Sequence, residues 1–498
     1  MLLLGLDIGS SSIKAALADA ATGKTLGAVQ APEREMDILA PHPDWAEQDP
    51  EIWWQNACAA VQKLLKQTQT DPATVAAIGI SYQMHGLVAL DERGKAVRPS
   101  IIWCDSRAVG IGDAAFRALG ESYCLAHFLN SPGNFTASKL KWVKEHEPER
   151  YAQIRYVMLP GDYIAYRLTG EPATTVSGLS EGVMWDFSAD SLAIPLLQHY
   201  GIEPAMIAPV VPTFGRQGQL TNEAAAAIGL KSGTPVTYRA GDQPNNALAL
   251  NVLKPGEVAA TGGTSGVVYG VVDKLVADPQ NRVNSFAHVN HQPGAPRIGV
   301  LLCINGSGIQ YSWMRKQVAG DALTYPEMEQ LAAAAPPGAD GLCILPFGNG
   351  AERMLGNRTP GAQIGNLHFN RHGRAHLYRA ALEGIAFSFV YGMQVLQELG
   401  LDVSVIRVGN DNLFQSAIFS HTIAQLMNCR IEMLQTTGAV GAAIASGVGI
   451  GLWADAGEGL GALKLERVYE PGTPDGACRE AYERWVDLLG RTLEVGYS

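Results

Sequence analysis

The chain has 498 residues, 47% of them apolar and 17% charged, with 55 glycines and 27 prolines scattered rather than clustered. A single hydrophobic core does not grow to that size, so two domains of roughly 200 to 250 residues are expected, and disorder, collagen and coiled coil are excluded. The 37 Lys and Arg against 48 Asp and Glu leave a net charge of -11 and form no basic run, which excludes nucleic acid and anionic membranes as natural partners.

Residues 1–6 are apolar, but Asp7 ends the run and no basic flank or cleavage site follows, so the segment reads as a buried strand rather than a signal peptide. Runs 2–6, 13–17 and 25–29 alternate with turns at 9–12 and 20–24, the pattern of a β-meander. A helix is expected over 53–67, with Ala57, Ala60, Val61, Leu64 and Leu65 on one face after the entry Asp49-Pro50-Glu51, and a strand over 75–82. This β-β-β-α-β order implies an α/β layer fold. The opening device recurs about half a chain later, where 257–260 leads into Thr261-Gly262-Gly263-Thr264-Ser265-Gly266 and 267–272 leaves it. Two related domains, 1–247 and 248–498, are therefore expected, each presenting a backbone-lined anion site, with Lys254-Pro255-Gly256 as the punctuation. Residues 373–400 read as one long helix with Gly400 just beyond it, and the small residues of 438–445 as a helix packed close against a neighbour. No stretch approaches the ~18 apolar residues of a membrane span. The seven cysteines never take C-x-x-C spacing and read as free thiols in a reducing cytoplasm.

Asp7-Ile8-Gly9-Ser10-Ser11-Ser12-Ile13-Lys14 sets a carboxylate at a strand end, then a glycine, three hydroxyls and a lysine. Turn amides and hydroxyls donate to phosphate oxygens, and a nearby Asp can hold Mg2+ through water. Neither common nucleotide loop is present, because Gly23-Lys24-Thr25 is preceded by Ala18 where the first Walker glycine belongs; Gly23-Lys24 reads as a hairpin turn. Asp242 leaves the strand-like 235–238 region beside the domain junction, where it can take a proton from a hydroxyl nucleophile or simply cap a helix. Tyr82-Gln83-Met84-His85-Gly86 and Ile101-Ile102-Trp103-Cys104-Asp105-Ser106-Arg107 end two further strands. Trp103 offers an apolar sugar platform, and His85 and Asp105 offer hydrogen bonds to sugar hydroxyls; the plain alternatives are a core histidine and a local Asp105–Arg107 ion pair. His368, His372 and His376 stand four apart, but Gly373 interrupts the helix and no metal site is expected; His288 and His291 read as surface or substrate-neutral.

Together these segments resemble the FGGY carbohydrate kinases, within the actin, Hsp70 and hexokinase superfamily, over nearly the whole chain. Lys139-Leu140-Lys141-Trp142, Leu159-Pro160-Gly161-Asp162-Tyr163 and Arg167-Leu168-Thr169-Gly170-Glu171 are similar to the first family signature, and residues 362–383 to the second, with Asn134 and Asn366 departing from the pattern. The resemblance implies two ribonuclease H-like α/β domains flanking a deep cleft, with the sugar site, first phosphate loop and catalytic Asp242 in the N-terminal domain and the nucleotide on the C-terminal one. It implies ATP and Mg2+, with Asp7 holding the metal through water. Gly9, Ser10, Ser11, Ser12 and Lys14 would line the first phosphate loop, and Gly263, Thr264, Ser265 and Gly266 the second. Gly306 and Gln310 would lie beside the phosphates, and Gly409, Asn410 and Asn412 at the adenine site, where the usual triple glycine is reduced to one.

Within the family, residues 42–50 (HPDWAEQDP) and Gln83-Met84-His85-Gly86 are similar to those of the xylulokinases. That resemblance implies Met84, His85, Trp103, Asp105 and Gln243 around a ketose, and transfer of the ATP γ-phosphoryl group to D-xylulose with Asp242 as general base. Gln243 stands where many xylulokinases carry Asn and glycerol kinases carry Gln, so a kinase for glycerol, ribulose or another polyol stays open. A nucleotide-gated switch and a sugar sensor without kinase activity stay open too, and a homodimer is a candidate assembly.

Overall fold

The computed structural model describes residues 1–320, 322–461, 463–472 and 476–495. The first sheet contains β1 (Leu2–Ile8), β2 (Ile13–Asp19), β3 (Thr25–Ala31), β4 (Val75–Tyr82) and β5 (Val236–Gly241). Before β5 come helices α1 (Pro50–Thr68), α2 (Thr136–His146), α3 (Pro160–Thr169) and α4 (Val176–Glu181). Helix α5 (Asp242–Ala249) leads to the second sheet, of β6 (Glu257–Gly262), β7 (Gly266–Val272), β8 (Asn284–Ala287), β9 (Ile298–Ile304), β10 (Val405–Gly409), β11 (Arg430–Leu434) and β12 (Leu465–Tyr469). Its helices include α6 (Gly308–Trp313), α7 (Arg374–Glu398), α8 (Ala417–Met427), α9 (Gly438–Gly449) and α10 (Gly476–Val495).

The strand orders are β5-β4-β1-β2-β3 and β8-β9-β7-β6-β10-β11-β12. In the first sheet β1, β2 and β3 pair antiparallel, while β4 runs parallel to β1 and β5 parallel to β4. In the second, β6, β7 and β9 repeat the antiparallel meander, and β10 and β11 repeat the parallel pair. Five strands of the same order and sense in each half are the duplicated ribonuclease H-like arrangement that the repeated strand–turn–strand device foreshadows. The expected helix over 53–67 begins three residues earlier, because Asp49 caps it by accepting from the Glu51 amide and Pro50 suits its first turn. The long helix is α7, and Gly400 beyond it takes φ +91°.

The alternation of side chains along a strand divides the first sheet's two faces. Leu4, Leu6 and Ile8 pack with Trp53, Val61 and Leu64 of α1, whereas Leu3, Ala77 and Ala240 belong to a separate core with Val440, Ala443 and Ile444 of α9. Helix α9 follows the last parallel strand of the second sheet, yet it lies against β1, β2, β4 and β5 of the first. It can do so because two strand positions lack side chains: a Cβ at Gly5 would collide with the Ala439 carbonyl, and one at Gly79 with that of Ala442. On its other side, a Cβ at Gly441 would lie 2.5 Å from that of Ala249 in α5. The close packing expected of 438–445 is present, and it is what clasps the two lobes.

His288 departs from its expected surface position. It is 1% exposed, with its ring between the Tyr269 hydroxyl at 3.1 Å and the Val252 carbonyl at 3.0 Å, and burial pushes its pKa down to about 3. Its place directly after the inward-facing strand β8 explains the difference. Among the described residues no helix is long and apolar enough to cross a membrane.

Gly79→Val should reduce the unfolding free energy by about 3 kcal/mol or more, because the collision is with rigid backbone. Gly110→Ala, where a Cβ meets nothing within 4 Å, is the control and should leave the urea midpoint unchanged or raise it.

Candidate active site

Open α/β sheets present ligands at the carboxyl ends of their parallel strands. Here β1, β4 and β5 end on one edge, with Asp7 opposite Ser81 and Ser81 opposite Ala240. Asp7 follows Gly5 by two residues and therefore shares its face, as Ser81 does with Gly79; the Ser81 hydroxyl donates to Asp7 Oδ1 at 3.0 Å. The glycine floor brings the first turn of α9 to the same place. A Cβ on Gly438 would lie 3.1 Å from Asp7 Oδ2 and 2.9 Å from Asn246 Oδ1. Burial raises the pKa of Asp7, opposed by the charge of Lys14, its partner in the β1–β2 register. Asp242 is the first residue of α5; burial, then the charge of Asp7, raise its pKa to about 7, while hydrogen bonds from Gln243 act the other way.

The loop after β4 carries His85 in a left-handed conformation, φ +61°. Its Nδ1 meets the Glu181 carbonyl at 2.9 Å, its ring lies edge-on to Phe135 at 4.8 Å, and Phe286 of β8 in the second lobe is 5.3 Å away. Burial lowers its pKa to about 3, so the ring is neutral, and Nε2 has no hydrogen bond to the described residues. Lys139 is wholly buried and donates to the carbonyls of His85 and Ile102, both at 2.9 Å, pinning the two strand-end loops together. Trp103 is 54% exposed, and its Nε1 donates to Ser10 Oγ at 3.3 Å, which ties the second of these loops to the first glycine–serine turn. Met84 is buried, with its Cγ 2.6 Å from where a Cβ of Gly241 would be, so it packs beneath the Gly241–Asp242 step rather than opening to solvent. Asp105 is wholly buried as well. It accepts from the Ala46 amide at 2.6 Å and from Arg107 at 2.6 Å, so both oxygens are occupied by the local ion pair and neither is open toward the cleft.

Between the lobes is a cleft of about 230 Å3, lined by Asp7, Lys14, Gln243 and Asn246 on one side and by Thr261, Val267, Tyr269, Gly409, Asn412 and 436–438 on the other. In the first turn the Gly9 amide closes on the Ser12 carbonyl at 3.1 Å, Gln48 holds the Ser10 carbonyl at 2.7 Å, and Ser11 is exposed. In the second, the carbonyls of Gly263 and Thr264 accept from the amides of Gly308 and Ile309, both at 3.0 Å. Thr264 is left exposed, Ser265 half-buried, and Gly266 lies against Phe389. Gly306 is buried, its amide donating to Glu352 Oε1 at 2.8 Å, and Gln310 is 9% exposed. Both stand behind the second turn rather than in the cleft lining. Gly409 and Asn412 reach the cleft, whereas Asn410 turns to Glu466 at 2.8 Å.

Four positions at this site escape sequence reasoning: Asn246, Lys139, Glu181 and the Thr436-Thr437-Gly438 corner. Only the last carried a local signal, a threonine ahead of a helical run, and Thr437 does cap α9 by accepting from the Val440 amide at 3.3 Å.

Residues 2–249 match the N-terminal domain, and residues 258–450 the C-terminal domain, of the FGGY family of carbohydrate kinases. The xylulose kinase of Escherichia coli (strain K12) is 30% identical over 451 residues, covering 89% of this chain and 88% of that one. The L-xylulose/3-keto-L-gulonate kinase of the same strain is 30% identical over 509 residues, covering 98% and 96%. The crystal structure of xylulose kinase from Rhodospirillum rubrum shares the fold over 99% of both chains, with a TM-score of 0.88 at 28% identity. With both family domains matched in order around a cleft lined by the strand-end carboxylate of Asp7, the chain belongs to the FGGY family of carbohydrate kinases, enzymes that phosphorylate sugars at the expense of ATP.

Proposed function

We propose that this kinase phosphorylates a ketopentose, with D-xylulose as the first candidate and its C5 hydroxyl as the acceptor, and that Asp242 is the general base. The observation that carries the reading is the position of Asp242. It begins a helix at the seam of the lobes, next to Gln243 of the cleft lining and near enough to Asp7 to feel its charge, and its pKa is raised to about 7, where a carboxylate is basic enough to take a proton as the hydroxyl attacks. The xylulose kinases among the relatives support the sugar assignment.

Phosphoryl transfer asks the protein mainly to align, neutralise charge and exclude water. We divide the labour at residues 247 and 248. The first lobe supplies Asp242, the neutral His85 ring as a hydrogen-bonding partner for a sugar hydroxyl, and the exposed Trp103 face as the sugar's platform. The turns at Gly9–Ser12 and Gly263–Gly266 cradle phosphate oxygens, Lys14 offsets their charge, and Gly409 and Asn412 border the base. Asp7 suits Mg2+, which keeps most of its waters and takes one or two carboxylates besides phosphate: its Oδ2 accepts no hydrogen bond from the described residues, and Gly438 leaves the space beside it open. Bound there, Mg2+ would neutralise phosphate charge. Seven cysteines with no disulfide among the described residues fit a cytoplasmic enzyme.

Gln243 lines the cleft beside Asp7 and favours keeping a second sugar in view, a different ketose or polyol. Purified protein with MgATP, read by ADP release against pentuloses, hexuloses, keto sugar acids and polyols, tests the assignment. D-xylulose should give the highest kcat/KM, and a panel on which it is poor while another sugar is good would replace it.

Asp242→Ala should lower kcat by about 10²- to 10⁴-fold with the fold intact, and near-full turnover would refute the base. Activity should rise with pH through one ionisation near 7, since Asp242 acts only when ionised. Stability runs the opposite way: the folded chain holds this proton up to about pH 7 and the unfolded chain only to about 4, so stability is lost as pH rises between them. Asp242→Asn should therefore be more stable than the parent by roughly 1–3 kcal/mol at pH 8, with the difference closing toward pH 4, as thermal melts at both values will show. His85→Ala should raise the KM for the sugar well above its effect on the KM for ATP; equal effects would make His85 a structural residue.

A further inference from the structure

One buried acid beneath the Gly241–Asp242 step has no part in the phosphoryl-transfer scheme above. Glu181 is the last residue of α4 and is 1% exposed, and among the described residues neither Oε1 nor Oε2 makes a hydrogen bond of full geometry, the Tyr82 hydroxyl being the polar group nearest to bonding it. It nevertheless lies against His85 and against the glycine that precedes Asp242. A Cβ at Gly241 would stand 2.7 Å from Glu181 Oε2, so the carboxyl group lies under the peptide that presents Asp242. Its main-chain carbonyl meets His85 Nδ1 at 2.9 Å, which holds the ring and leaves Nε2 without a hydrogen bond to the described residues.

The groups around this carboxyl decide its charge. Tyr82 faces it from β4, Asp162 from α3, Asp242 from α5, and Tyr269 from β7 of the second lobe; Lys139 of α2 is the cation that opposes them. Arg239 of β5, on the same side of the sheet, is directed to Asp162 at 3.4 Å. Burial, then the charges of Asp242 and Asp162, hold the acid well above its ordinary range, against Tyr82 and Lys139. An ionised carboxylate without partners carries a heavy desolvation penalty, whereas the protonated acid is a compact neutral group with one donor. A methionine beneath the same glycine, Met84, completes the support.

We propose that Glu181 is a positioning residue of this reaction: held as an uncharged carboxylic acid, its side chain props the Gly241 turn that aims Asp242, while its carbonyl fixes the ring of His85. The inference rests on the reading of Asp242 as the base. It differs from a purely structural role because base and sugar-facing imidazole are set by one residue, so kcat and the sugar KM should move together while the ATP KM stays in place.

Glu181→Gln and Glu181→Met are the test, with kcat, both KM values, the acid limb of kcat/KM and the melting temperature measured on the full chain. Glu181→Gln, the shape of the neutral acid, should stay within about threefold of the parent with its acid limb unmoved. Glu181→Met, similar in length without a polar end, should lose about tenfold to a hundredfold in kcat, as a misaimed reacting group does, and raise the sugar KM. A Glu181→Gln variant that falls as far as Glu181→Met would overturn the uncharged role, and a Glu181→Met variant with the parent's kcat and sugar KM would overturn positioning altogether. Should Glu181→Met fail to fold, Glu181→Gln alone decides: retention supports the inference and a tenfold loss sinks it. Asp242→Ala run beside them separates the two claims, since turnover surviving there fails the base, while loss there with an unchanged Glu181→Met fails only this inference.

Discussion

The contact on which the site depends is the one between the first turns of α9 and the glycine positions of β1 and β4. A helix that follows the second sheet can lie on the first only where strand side chains are absent, and Gly5 and Gly79 provide two such positions on neighbouring strands. The side-chain period of two then carries the consequence outward: two residues past each glycine, on the same face, stand Asp7 and Ser81. The packing that joins the lobes and the geometry that brings Gly438, Asn246 and Asp7 together are therefore the same interaction. A side chain at either glycine would part the helix from the sheet and the carboxylate from its surroundings at once.

The electrostatics follow from that closeness. Asp7 and Asp242 stand close enough for the charge of the first to act on the second, and both have raised pKa values, with burial as the first cause in each. They differ in their neighbours. Asp7 has Lys14 across the ladder and the Ser81 hydroxyl on one oxygen, which favour its charged form. Asp242 has Asp7 itself as its strongest charged neighbour, which favours the protonated form. Two carboxyl groups pushed apart in this way suit two tasks, one holding a cation and the other exchanging a proton near neutral pH. The free energy spent on burying Asp242 is the stability its Asn replacement should recover.

Much of this was legible in the sequence where local pattern and tertiary structure coincide. The meander, α1, the strand over 75–82 and α7 follow from periodicity and caps, and the repeated strand–turn–strand device announces the duplicated sheet. Asp7 and the two turns are visible because strand-end chemistry is local. What was not visible was partnership across the chain. Nothing near Lys139 says that its ammonium will bridge the carbonyls of His85 and Ile102, and nothing near Glu181 says that it will sit beneath Gly241. Asp105 shows the same limit from the other side: its spacing from Trp103 is compatible with a ligand, but Arg107, stacked 3.8 Å over Trp45 and bonded to Glu47 at 2.7 Å, claims its oxygens. His288 was misplaced because its burial comes from Tyr269 and Val252, neither of them adjacent in sequence.

The same packing also divides the cleft lining between the two lobes. Gly438 and Asp7 are locked to each other through α9 and the glycine floor, so they travel together with the first sheet. The Gly263–Gly266 turn is bound instead to the amides of Gly308 and Ile309, and Gly266 to Phe389 of α7, all within the second lobe. Asp7 and α9 thus form one packed unit, and the second turn, with α6 and α7 behind it, forms another. The chain passes between the lobes at 434–437, around 250–256, where Gly256 takes φ +86° and a Cβ would stand 2.5 Å from the Asp402 carbonyl, and again between α9 and β12. Both candidate acids therefore stand on the side of the first sheet and the second glycine-rich turn on the other, so a ligand held by both has to bridge the lobes.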